Sequence, residues 1–142
     1  MRRVAMPIIS GLLAAGLLAV APAAADAVKL KAELKGSNSV PPNSSAGTGS
    51  VEASFDTATR LLTYTVTYSG LSGPLVAAHF HGPAAHGKNA GIVVPINAAG
   101  SPIKGRVTLN DSQAAELMAG KWYVNLHTAA NPGGEIRGQV TK

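Results

Sequence analysis

Three of the chain's four histidines fall within eight positions of HFHGPAAHGKNAG, residues 79–91. His79 and His81 are two apart, so in a β-strand both imidazoles leave the same face, with Cα atoms about 6.6–6.8 Å apart. Two imidazoles at that spacing meet on one ion if a ring turns toward its neighbour. The fourth histidine is far away in YVNLHTAANPGGEIRGQ. There Trp122, Val124 and Leu126 alternate with Tyr123, Asn125 and His127, which places His127 on the more polar face. If the two strands are neighbours, three imidazoles meet on one sheet face. His86 lies in the loop five residues beyond His81, between Pro83 and Gly87, and is a candidate fourth ligand or gate. Three imidazoles with an open position suit copper or catalytic zinc, and four closed ligands suit storage or structure. The Irving–Williams order favours Cu²⁺, with Zn²⁺ the alternative. The competing reading is a pair of strand histidines that only pack and hydrogen-bond.

A second cluster is NPGGEIRGQ. Asn131-Pro132-Gly133-Gly134 has the composition of a tight turn, after which Glu135 and Arg137 share one strand face, in the plainest reading as a weak surface pair. In the functional reading Arg137 guides an anionic ligand and Glu135 holds an imidazole N–H. Tyr123 and Asn125, on the face of His127, are further candidates for supporting the imidazoles. No nucleophile elbow, phosphate-binding loop or dinucleotide fingerprint occurs.

The elements that must position these residues are strands. Period-2 alternation in VEASFD, LLTYTVTY, KWYVNLHT and EIRGQV predicts strands with one face on a core and the other wetter. With the turn-forming stretches between them, this gives eight strands near 28–34, 47–56, 60–69, 75–81, 91–97, 103–109, 121–128 and 135–141. DTATR reads as a hairpin connection that Asp56 caps through its carboxylate. NDSQAAELMAGK breaks the pattern: capping residues, helix formers and Gly120 at the end predict one short helix with Ala114, Leu117 and Met118 on one side. The whole reads as an all-β sandwich or barrel.

Residues 1–25 have the order of a cleaved secretory signal peptide: MRR, the apolar IISGLLAAGLLAV, and an A-x-A site at Ala23-Ala24-Ala25. The apolar run is shorter than the ~20 residues of a membrane span. The expectation is one exported domain over residues 26–142, periplasmic or secreted, without stable membrane insertion. The formal charge of +5 includes Arg2 and Arg3; without them ten Lys/Arg face seven Asp/Glu, a charge of +3. These cations are spread singly along the sequence with no basic, aromatic-interleaved stripe, which argues against nucleic acid. There is no cysteine, so neither disulfides nor thiolate-bound metals are available.

The segments GSNSVPPNSSAGTGSVEASFD, LTYTVTYSGL, AAHFHGPAAHGKNAGIVVPI and GKWYVNLHTAANPGGEIRGQV resemble, in order, the CHRD domain family. The resemblance implies an immunoglobulin-like or superoxide dismutase-like Greek-key β-sandwich. The H-x-H strand with a late histidine is also similar to the copper ligands of Cu/Zn superoxide dismutase, carried over onto His79, His81 and His127. The dismutase's cysteines, zinc loop and bridging histidine are missing, which argues against a redox enzyme of that type and leaves no enzymatic activity assigned. The reading is therefore an exported copper-binding protein for sequestration, storage or delivery, with another protein or a second copy as a further partner. A metal-free module that binds a protein or an envelope polymer is the alternative.

Overall fold

In a computed structural model the described residues are Gly16 and 27–142; the signal-peptide reading of residues 1–25 lies, apart from Gly16, outside them. All eight expected strands form: β1 (Ala27–Lys35), β2 (Thr48–Asp56), β3 (Leu61–Ser69), β4 (Ala77–His81), β5 (Ile92–Ile96), β6 (Ile103–Thr108), β7 (Tyr123–His127) and β8 (Ile136–Gln139). The one helix, α1 (Asp111–Met118), is capped as its sequence requires. Asn110 Oδ1 accepts from Gln113 N while Asn110 N donates to Gln113 Oε1, and Gly120 follows in the left-handed region at φ 73°. Leu117 is buried, and Ala114 and Met118 pack against the core beside it. The DTATR turn closes on Asp56 Oδ1, which accepts from Ala58 N and Thr59 N at 2.9 and 3.0 Å.

The strands pair antiparallel in the order β5-β4-β7-β8-β1-β2-β3-β6. Two four-stranded halves, β5-β4-β7-β8 and β1-β2-β3-β6, are joined by little backbone. Lys35 pairs with Arg137, and Lys31 bridges to Thr141. A nearly closed all-β sheet results, with chain connections crossing between the halves as in a Greek key. The join requires Gly138, where a side chain would collide with the backbone carbonyl of Glu33. Between the halves lie Phe80, Trp122, Val124 and Leu126 from one side and Phe55, Leu62, Tyr64 and Val66 from the other. Phe80 packs against Tyr64 and Trp122, ring centroids 5.0 and 5.7 Å apart.

Two expectations change. The face of β7 opposite the core is not wet: Tyr123, Asn125 and His127 are buried, as are Glu135 and Arg137 beside them. Alternation identified the two faces correctly, but loops 82–91 and 128–134 fold over the second one. The cations, singly spread in sequence, are also regrouped. Five of them share the outer face of β1-β2-β3-β6: Lys29, Lys31 and Lys142 line a groove there, and register carries the same rows on to Lys104 and Arg106 of β6.

Candidate metal centre

The register of β4 against β7 brings the histidines together. His79 sits opposite Asn125, His81 opposite Tyr123 and Ala77 opposite His127, so the three imidazoles occupy one face of two adjacent strands. Their ring centroids lie 5.0 to 6.1 Å apart, and one ligand nitrogen from each falls within 4.8 Å of the others. His81 and His127 are buried and His79 is partly exposed. His86 is exposed in the turn after β4 and does not join the group.

The hydrogen bonds fix which nitrogens are free. His127 Nδ1 lies 2.9 Å from Pro132 O and His81 Nδ1 lies 3.0 Å from Ala90 O. A carbonyl only accepts, so both Nδ1 atoms carry the proton and both Nε2 atoms keep a lone pair. His79 Nδ1 is 3.2 Å from His127 Nε2 and donates to it. His81 Nε2 is buried with no hydrogen-bond partner. Burial lowers the pKa of both His79 and His81 below the usual imidazole value, helped in each case by the positive charge that His127 would carry. For His81 the bond to Ala90 O works in the opposite direction, and His79 and Arg137 add to the lowering. Neutral imidazoles are the state in which metal ligands bind. The donor set, all imidazole and no thiol, fits copper or zinc, and a buried orphan nitrogen among these donors is what such an ion would satisfy.

Glu135 and Arg137 do not form the expected surface pair. Both are buried, and neither meets the other or an imidazole. Glu135 receives five hydrogen bonds, from Ser45 Oγ, Ser72 N, Ser72 Oγ, Thr128 Oγ1 and Asn131 Nδ2. Its burial raises the pKa, but the bonds from Ser72, Thr128 and Ser45 outweigh this and lower it to about 2. Arg137 lies 3.5 Å over the Tyr123 ring and donates to Asn89 Oδ1 and Lys88 O. Each charge therefore holds one loop. Glu135 secures residues 128–131, before the Pro132 carbonyl that orients His127, and Arg137 secures 88–89, before the Ala90 carbonyl that orients His81. Glu135 acts on the histidines at one remove, through backbone; Arg137 does so too, and its charge also reaches His81.

Tyr123 is closer to the centre than its place in the sequence suggests. Its ring stacks on His81 at 4.9 Å and 4°, and its hydroxyl donates to Ala90 O and accepts from Ala90 N. Arg137, Tyr123 and His81 thus form a continuous stack. Asn125 lies beneath the histidines, its Nδ2 donating to Gly133 O and its buried Oδ1 without a partner. Sequence reasoning missed the two orienting carbonyls and the hydroxyls of Ser45, Ser72 and Thr128. A backbone acceptor has no side-chain signature, and serines in loops read as ordinary turn formers.

The family model of the CHRD domain matches residues 30–140. That span holds all three clustered histidines, both loops and both buried charges. No curated protein and no solved structure matches the chain. No helix among the described residues is long and apolar enough to cross a membrane.

Proposed function

The chain belongs to the CHRD domain family, and from that premise we propose that it binds one metal ion, copper in preference to zinc, through His79, His81 and His127. The role is to sequester, store or deliver the ion outside the cytoplasm, after export directed by residues 1–25. One observation carries the reading: three imidazoles each bring one ligand nitrogen within 4.8 Å of the others, and His81 Nε2 among them is buried and unpartnered. The absence of cysteine from the chain favours an ion that imidazole alone can hold. Bound there, copper would supply an exchangeable centre with coordination positions beyond the three imidazoles. The protein's part is to keep those rings neutral, hold two by carbonyls on Nδ1, and back one with the Tyr123 ring.

Titration of the purified protein with Cu(II), Cu(I) and Zn(II), monitored by competition with a chelator of known affinity, tests this. Tight copper binding with one ion per chain is expected, weakened more than about 100-fold by His79→Ala or His127→Ala, since even substitutions behind a ligand cost 10–100-fold. His86→Ala is expected to change it less than about threefold, because its exposed ring contributes no donor to the cluster. Binding at micromolar strength or weaker, unchanged by the first two substitutions, would refute the reading.

A further inference from the structure

The outer face of β1-β2-β3-β6 carries a groove of about 650 Å³. It is lined from β1, β2 and β3, and pairing continues its two rows past it to β6, as Lys31–Glu52–Thr65–Lys104 and Lys29–Ser54–Thr63–Arg106. Lys142 lines the β1 side, next to Thr141, whose backbone bonds to Lys31. Three strand spacings separate β1 from β6, so the cations form two rails about 14 Å apart. Between the rails the floor offers the hydroxyls of Ser54, Thr63 and Thr65 and the single carboxylate of Glu52. Among the described residues the ion pairs are made by Lys35 and Arg60, and by none of these five cations.

We propose that this face, the groove together with the β6 cations beside it, binds an acidic polysaccharide, a hydroxyl-rich chain whose carboxylates meet the rails and whose hydroxyls meet the floor. Charge complementarity selects a polyanion, and the floor selects its kind. Nucleic acid would bring bases to a face without an exposed aromatic ring for them to stack on, and continuous phosphate to the carboxylate of Glu52. An anionic membrane would meet no apolar side chain to insert; the exposed large hydrophobics, Val76 and Ile92, lie outside this groove. Sugar hydroxyls can instead donate to Glu52 and exchange hydrogen bonds with Ser54, Thr63 and Thr65. The groove shares no residue with the histidine cluster, so its occupancy does not depend on metal.

The test is binding of a labelled oligogalacturonate to the purified protein at low salt with a chelator present, alongside single-stranded DNA and anionic phosphatidylglycerol vesicles. A cation held near a polyanionic surface contributes on the order of fivefold in affinity. Lys29→Glu/Lys31→Glu and Lys104→Glu/Arg106→Glu should therefore each weaken binding roughly 20-fold or more. Lys88→Glu/Lys121→Glu, with the same change in net charge elsewhere, should weaken it no more than about twofold. Thr63→Val/Thr65→Val, which keeps shape and charge, should weaken oligogalacturonate about fivefold and leave DNA unaffected, the worth of one or two hydrogen bonds. Unaltered thermal midpoints establish that the variants are folded. Lys29→Gln/Lys31→Gln gives the same answer without placing new acids beside Glu52. The proposal is overturned if the groove reversals leave binding unchanged, if the control pair weakens it equally, or if DNA or vesicles bind more tightly than the sugar.

Discussion

Glu135→Gln is the perturbation whose cost the structure defines best. The carboxylate is buried and accepts five hydrogen bonds, two of them from groups that can only donate: Ser72 N and Asn131 Nδ2. Ser72 N points at Oε2 and Asn131 Nδ2 at Oε1, so a glutamine amide group facing either oxygen position opposes one of these donors. The three hydroxyls of Ser45, Ser72 and Thr128 can rotate to accept, but the opposed donor cannot. One orphaned buried donor costs about 1–3 kcal/mol, and the remaining bonds lose their charge-assisted strength. The total is about 2–4 kcal/mol, or roughly 10 °C in melting temperature for a domain of this size. The effect has a pH signature. The folded pKa is lowered to about 2, so the carboxylate's contribution is fully present above the unfolded value near 4.3 and is lost as pH falls toward 2. Urea denaturation of both proteins at pH 7 and at pH 3 is the assay, with the difference in stability expected to shrink at the lower pH. A difference below 0.5 kcal/mol at pH 7, or one of equal size at both pH values, would show that Glu135 is not the ionised hub of loops 45, 72 and 131.

The remaining expectations concern the centre and the join between the halves. Tyr123→Ala removes the ring stacked on His81 and the platform under Arg137, and should weaken copper about 10–100-fold; Tyr123→Phe keeps the stack and should lose less than a tenth of that, measured by the same competition assay. The lowered pKa values of His79 and His81 mean that the unfolded chain binds more protons than the folded one below about pH 6.5. Metal-free stability should fall as pH drops through that range, visible as a declining melting temperature, and copper affinity should fall with it as protons compete for the same nitrogens. Gly138→Ala drives a methyl into the Glu33 carbonyl where β8 meets β1, and should cost more than about 2 kcal/mol in chemical denaturation; a neutral result would mean that the two halves separate there without penalty.

The sequence determined the elements and their faces. Alternation, together with the turn-forming stretches between strands, placed all eight strands, and the Asn110 and Gly120 signals placed the helix, because backbone period, turns and capping are local properties of a few consecutive side chains. The same locality put His79 and His81 on one face, and made that face opposite to Phe80. Tertiary structure alone decided that β4 lies beside β7, which turns His127 from a distant residue into the third member of the cluster. It also decided that loops 82–91 and 128–134 cover the outer face. Glu135 and Arg137 thereby become buried anchors of those loops instead of a surface pair, and His86 stays in solvent. The basic face is of the same kind, since five cations separated along the chain come to share it only through strand register and the return of Thr141 to Lys31. A side chain's alternation is written in its neighbours. Its partners across strands depend on the order in which the sheet is assembled, and long-range pairing leaves no mark within any short stretch of sequence.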